Sequence, residues 1–181
     1  MGQINTLRKL IVRTIHQYLN EHGVLAEEMV VYHRSPKKFN KFSISNVGSD
    51  SNRQRYGWGL YFSDGVPNNQ YGDYVYKVKL FKGKNPVLID GKKPVEGGIV
   101  TKIVKALNGP NKKSDEVVEF SYMGWLFYKT LSRVLGGDKY ASIFLSDNGV
   151  DGLRNNISGN FNDYILFNDN HITIEDVKYE P

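Results

Sequence analysis

Apolar positions along the chain follow two rhythms, and the rhythm changes three times. Ile4, Leu7, Ile11, Ile15 and Tyr18 recur at spacings of three and four, with Lys, Arg, Gln and Glu between them. That stripe predicts an amphipathic helix over 4–21, stopped by Gly23. Met29-Val30-Val31-Tyr32-His33 then reads as a short buried strand, closed by Pro36, whose ring removes a ladder donor. The stretch 37–55 is polar, with Phe39, Phe42 and Ile44 as its only large apolar anchors, and predicts a long loop. A strand is predicted over 57–63, a helical turn over 67–71, and a half-solvated strand over 74–81, where Tyr74, Tyr76, Val78 and Leu80 alternate with Val75, Lys77 and Lys79. A short strand follows over 87–90.

The middle of the chain has the helical period. Ile99, Ile103, Val104 and Leu107 mark a helix over 95–107, broken by Gly109-Pro110. A long helix is predicted over 115–135, carrying Val118, Tyr122, Trp125, Leu126, Leu131 and Leu135, with Gly136-Gly137 as its stop. A shorter helix covers 140–145, and strands return over 152–155, 164–167 and 172–179. No repeat, linker or low-complexity tract interrupts the pattern. The expected architecture is one α+β domain over 1–181, with its core over 29–179 and early and late strands meeting in one sheet.

Composition changes this picture little. At 181 residues the chain is long enough to bury a core without staples, and 40% hydrophobic with 24% charged residues is ordinary for a globular domain. The absence of Cys excludes disulfides, thiolate metal sites and a cysteine nucleophile. A net charge of +5 favours anionic partners such as nucleotides, nucleic acid or acidic surfaces. Twelve tyrosines point to a β-rich core or to a surface that stacks on rings. No secretory signal is visible at the start of the sequence, and no segment reaches the ~18 apolar residues of a membrane-spanning helix. A soluble, cytoplasmic protein is expected, in a bacterial or a host cell. Met1-Gly2 with Thr6 matches the loose N-myristoylation pattern, which chance produces often.

The candidate chemistry is narrow. His16, His22, His33 and His171 stand in no metal-binding spacing, so no metal site is expected. A phosphate-binding Walker loop, a GxGxxG fingerprint and a GxSxG elbow are all missing. His33 closes an otherwise apolar strand and is followed by Arg34-Ser35-Pro36, which suits either a satisfied core histidine or a functional one. Gly57-Trp58-Gly59-Leu60-Tyr61-Phe62 places glycines around an aromatic at the start of a strand. That marks a bulge, or a close backbone approach by a ligand or another chain. Trp58 suits packing beneath the sheet or the wall of a pocket. Arg53 and Arg55 suit solvated charge or a phosphate contact.

Taken together, Tyr32-His33-Arg34-Ser35-Pro36, then Gly59-Leu60-Tyr61-Phe62-Ser63-Asp64, then Tyr71, resemble signature blocks of ADP-ribosyltransferases of the PARP and diphtheria-toxin type, known by a His–Tyr–Glu trio. Asn148-Gly149-Val150-Asp151-Gly152-Leu153 and Asp163-Tyr164-Ile165-Leu166-Phe167-Asn168, ending in Ile172-Thr173-Ile174, bring the pattern nearest to the ADP-ribosyltransferase-like domains of phage polyvalent proteins and bacterial effectors. The resemblance spans 30–174. It implies an ADP-ribosyltransferase-like split β-sheet with helices between the N- and C-terminal strands, and NAD as substrate.

The resemblance assigns roles residue by residue. His33 would bond a ribose hydroxyl of NAD. Tyr61 would pack on the nicotinamide, and Tyr71, ten positions later, would supply the second stacking ring. Gly59 belongs to the tyrosine block, and Ser35 matches the small hydroxyl residue after the histidine. Arg34 stands where the family has glycine. Its backbone serves equally if φ is negative, and its guanidinium suits pyrophosphate. The family glutamate is replaced by Asp163, one methylene shorter, which reads as the charge facing a developing oxocarbenium ion or as a turn residue opening a strand. Glu119 is the lesser acidic candidate, within the predicted long helix. The activity implied is mono-ADP-ribosyl transfer from NAD to a protein or nucleic-acid acceptor. The rivals are an NAD glycohydrolase, a catalytically inactive NAD- or nucleic-acid-binding module, and an RNA 2′-phosphotransferase, which usually needs more arginines than this chain places near the motifs.

Overall fold

The computed structural model describes residues 29–48, 54, 56–107, 112–156 and 161–181. The predicted N-terminal helix, with His16 and His22, and the loop arginines Arg53 and Arg55 lie outside the described residues. Among the described residues seven strands and four helices follow in chain order: β1 (Met29–Ser35), β2 (Leu60–Ser63), β3 (Tyr74–Leu80), β4 (Leu88–Asp90), α1 (Gly97–Ala106), α2 (Lys112–Glu119), α3 (Gly124–Leu135), α4 (Asp138–Asp147), β5 (Gly152–Asn155), β6 (Asp163–Leu166) and β7 (Ile172–Tyr179). Short 3-10 turns cover Ile44–Asn46 and Asn69–Tyr71.

All seven strands join one sheet in the order β4-β5-β6-β2-β1-β3-β7. The early strands β2, β1 and β3 form its centre, with late strands β6 and β7 on either side, so the α+β expectation of early and late strands in one sheet is met. β4 and β5 run parallel and the other neighbours antiparallel. The ladders are unequal. β1 pairs with β3 along its whole length, from Met29↔Leu80 to Ser35↔Tyr74. Its register with β2 is the single pair Tyr32↔Ser63. Continued antiparallel pairing would set Arg34 opposite Tyr61, but the strands part before that pair forms.

Two apolar cores serve opposite faces, as a period of two requires. Ile165 and Leu153 face the helices, where they pack with Ile89, Ile103, Phe127, Tyr128 and Leu131. Tyr164 and Leu166, the neighbours of Ile165 on β6, face the other way and join Val31, Phe62, Tyr76, Val78 and Leu80 under Phe42 and Phe39 of the long loop. Phe39 and Phe42, aromatic anchors of the polar loop, therefore pack on this face of the sheet.

One predicted element divides. The helix expected over 115–135 is two helices, α2 and α3, separated at 120–123. The apolar spacing continues across the break, but the backbone hydrogen bonds leave the helix there. Ser121 accepts from Val95 N, Gly124 N donates to Lys93 O, and Trp125 N donates to Gly91 O. A side chain on Gly124 would collide with the Asp90 carbonyl. The segment is docked on the chain leaving β4, a long-range contact that periodicity does not report.

Candidate functional site

Three motif blocks far apart in sequence reach three consecutive strands, β6-β2-β1. Where the β1–β2 ladder stops, a side chain takes over: His33 Nδ1 lies 2.8 Å from the carbonyl oxygen of Tyr61. A carbonyl only accepts, so Nδ1 donates, and in the neutral ring Nε2 is left as an acceptor. The imidazole is held by rings. Phe42 meets it edge-on at 5.1 Å between centroids, with Phe62 at 5.9 Å, Tyr76 at 6.1 Å and Phe39 at 6.2 Å. Burial among them lowers the His33 pKa below 6.5, against the opposing pull of the Tyr61 carbonyl. The cage is itself braced, since Tyr76 Oη accepts from Phe39 N at 2.6 Å and stacks on Phe39 at 4.3 Å.

Tyr61 lies on the other face of the sheet, half-buried against the helix-side core. Its hydroxyl donates to Gly57 O at 2.7 Å and accepts from Tyr56 N at 3.1 Å. Burial pushes its pKa far up, so the phenol stays neutral. The preceding glycines shape this seat. Gly57 adopts φ 124°, and a Cβ there would lie 2.9 Å from the Tyr128 ring. A Cβ on Gly59 would lie 2.5 Å from Leu166 O and 2.8 Å from Ile165 Cγ2. The close approach at these glycines is thus made by β6 and α3 of the same chain, not by the ligand or second chain that the motif suggests. Tyr128 anchors the turn: its hydroxyl receives Trp58 N at 3.1 Å and pairs with Ser142 Oγ at 2.8 Å, while burial pushes its pKa up to about 12. Ser142 also donates to Trp58 O at 2.7 Å, so Trp58 is bound into the fold through its backbone.

Asp163 opens β6 directly opposite Ser63, with Tyr61 opposite Ile165. Alternation places Tyr61, Ser63 and Asp163 on one face. Burial raises the Asp163 pKa, the Ser63 hydroxyl bonded to its carboxylate opposes that, and the charge of nearby Asp64 adds to it. Asp64 is tied to Asn162, accepting from its backbone N at 2.9 Å and its Nδ2 at 2.7 Å, which fixes the chain entering β6. His33 therefore does not sit beside Asp163. The histidine and the acid lie on opposite faces of β1 and β6, the two strands that flank β2, and the Tyr61 carbonyl on β2 holds the histidine. Glu119 is exposed on α2, which packs on α1 and α3.

The remaining candidates cluster at the end of β1. Arg34 lies in regular strand, and Phe81 is the only described non-glycine residue with positive φ, so the Arg34 backbone needs no glycine. Its guanidinium is committed to Gly72 O and to Glu180. Ser35 is buried, and its hydroxyl accepts from Lys37 N at 3.1 Å. Tyr71 is 43% exposed on the 3-10 turn that contacts β1. Ser63 stands in the sequence only as part of the tyrosine block, and no motif marks Tyr128 or Glu180. Phe39 and Phe42, as isolated aromatics in a polar loop, carried a signal for the His33 cage. Among the described residues no group of three or more His, Asp or Glu side chains is placed to hold a metal, and no helix is long and apolar enough to cross a membrane.

No family model matches the chain, and no curated protein matches it. A solved crystal structure of an anti-CRISPR protein is similar over 83% of this chain and 98% of that one, at 10% identity and a TM-score of 0.40. So slight a likeness assigns neither a fold family nor an activity.

Proposed function

We propose that this protein is a mono-ADP-ribosyltransferase that cleaves NAD and passes ADP-ribose to a macromolecular acceptor, on an ADP-ribosyltransferase-like sheet split between β1 and β2. One observation carries the reading. The histidine, tyrosine and acid blocks occupy consecutive strands, and His33 bonds the Tyr61 carbonyl where the β1–β2 ladder ends. A parting between two strands offers backbone polar groups and aromatic side chains to a flat heteroaromatic ring. Tyr61, held at its hydroxyl, offers a ring on the face of the sheet that carries Asp163, and His33 Nε2, on the opposite face, offers an acceptor for a ribose hydroxyl across the parting.

The chemistry needs little from the protein beyond holding and polarising. The nicotinamide–ribose C–N bond breaks, and its electron pair leaves with the ring nitrogen, which loses its positive charge. The ribosyl oxocarbenium ion left behind is stabilised by the Asp163 carboxylate. The acceptor nucleophile then bonds C1′ and gives up its proton to that carboxylate or to water. The net charge of +5 favours the approach of the NAD pyrophosphate and of an anionic acceptor.

The test is incubation with NAD labelled in the adenylate half and, separately, in nicotinamide. Free nicotinamide together with label on a protein or nucleic acid is the expected result. Free ADP-ribose with no macromolecular label would replace this reading with an NAD glycohydrolase. Saturable NAD binding with no nicotinamide released would replace it with an inactive binding module.

A further inference from the structure

We infer that Glu180 is a positioning residue for Tyr71, acting through Arg34. The inference rests on the reading of Tyr71 as a ring that meets NAD. Arg34 is the position at which this chain departs from the glycine of the family it resembles, and its side chain has a definite use. Its Nη1 donates to Gly72 O at 2.9 Å and to Glu180 O at 3.1 Å, and its Nη2 donates to the Glu180 carboxylate at 3.0 Å. The Arg34 side chain is 8% exposed and that of Glu180 48%. Arg34 Nε is buried with no partner. A guanidinium that leaves Nε unsatisfied while its two terminal nitrogens make three hydrogen bonds is placed by those three contacts. The fork therefore fixes Gly72 with respect to the end of β7.

Gly72 is the last joint of the Tyr71 turn. Gly72 N donates to Asn69 O at 3.0 Å, and its φ of 125° belongs to glycine. A Cβ there would strike the Ser35–Pro36 peptide, so the turn rests directly on the backbone leaving β1. Glu180 adds a third tie, its N donating to Asp73 O at 2.7 Å. Tyr71 is thus an exposed ring on a turn seated on β1 and clamped to β7. Tyr71 is exposed and belongs to neither apolar core, so its turn is held by the polar ties at Gly72 and Asp73 rather than by packing of the ring. Loosening the clamp leaves Asp163 and Tyr61 untouched and lets the Tyr71 turn move.

The experiment uses the full chain with Glu180→Gln, which keeps the size and the carbonyl and removes the charge. Amide hydrogen exchange is expected to quicken about tenfold at Tyr71 and Gly72, with the amides of β3 unchanged. KM for NAD in nicotinamide release is expected to rise about tenfold with kcat within about twofold. Arg34→Lys should reproduce both shifts, and adding Glu180→Gln to it should change little more, because the two residues act as one unit. Glu180→Asp should recover part of the KM. Unchanged exchange in Glu180→Gln overturns the clamp. Faster exchange with an unchanged KM overturns the positioning role. A wild-type protein that neither binds nor cleaves NAD defeats the ADP-ribosyltransferase reading instead, and the exchange rates then decide the clamp by themselves.

Discussion

His33 and Asp163 are carried on strands separated only by β2, yet their surroundings differ in nearly every physical respect. His33 is enclosed by four aromatic rings and held by a backbone carbonyl, so its orientation is set before any ligand arrives. Asp163 is only part-buried, opens a strand, and has one serine hydroxyl and a neighbouring like charge. The histidine corner is built from packing and the acid corner from polar balance. A group that orients a bound ribose gains from rigidity. A group that meets a charge appearing only in the transition state gains from an environment where its own ionisation is uncomfortable and the new cation relieves it. Tyr61 stands on the strand between the two, its carbonyl bonded to His33 and its side chain on the face of the sheet that carries Asp163.

The largest expected effect is at that link. Tyr61→Ala removes the ring and both hydroxyl bonds. It should lower kcat/KM for NAD by about a thousandfold, because positioning and stacking are lost together. The cost in stability is about 2 kcal/mol for a half-buried ring, within the margin of a domain this size. Tyr61→Phe keeps the ring and should retain NAD affinity within about threefold, since a ring face needs no hydroxyl. Equal losses in both variants would mean that the phenol, not the ring, is what matters. Equal activity of Tyr61→Ala and wild type would remove the tyrosine block from the site.

Asp163→Asn comes next. Turnover should fall about a hundredfold with KM within about threefold, the signature of a contact made in the transition state. Its melting temperature should hold or rise, because the burial that raises the carboxyl pKa is a cost the amide escapes. Lower stability together with unchanged turnover would make Asp163 a strand-opening residue and nothing more. Asp163→Glu restores the methylene and should raise turnover if the shorter acid falls short of the ribose.

Much of this layout is legible in the sequence where neighbours decide it. The alternation of Tyr74 to Leu80 and the run from Met29 to His33 set two central strands, and the Gly-Trp-Gly segment announced a close backbone approach. The segment suits a bulge, a ligand or another chain, whereas the groups that approach are β6 and the Tyr128 ring of the same chain, both distant in sequence. The division of α2 from α3 was hidden for the same reason, since the hydrogen bonds that break the helix go to Gly91, Lys93 and Val95. The opposite facing of His33 and Asp163 was hidden too. It depends on the registers Tyr32↔Ser63 and Ser63↔Asp163, and a slip of one residue would reverse it. Arg34 read as a phosphate ligand because guanidinium chemistry suits one, while its actual partner lies 146 residues away.

The smallest expected effect separates the two corners by sign. The His33 pKa is lowered in the fold, so between that value and 6.5 the unfolded chain binds more protons. The His33 contribution to stability is therefore complete above pH 6.5 and is lost as pH falls through the folded value. The Asp163 pKa is raised from 3.8, so its contribution runs the other way, complete below 3.8 and lost as pH rises through the folded value. Denaturant midpoints followed between about pH 5 and 7 should fall on acidification, by at most ~1.4 kcal/mol for each unit of the His33 shift. His33→Gln keeps an N–H donor for the Tyr61 carbonyl and should flatten that slope, while the other three histidines act equally in both proteins. Asp163→Asn should remove the decline that sets in as pH rises above 3.8 and keep the His33-dependent fall on acidification. A His33→Gln protein with the wild-type slope would place the titrating group outside the aromatic cage, and the contrast between a packed corner and a polar one would then fail at its histidine end.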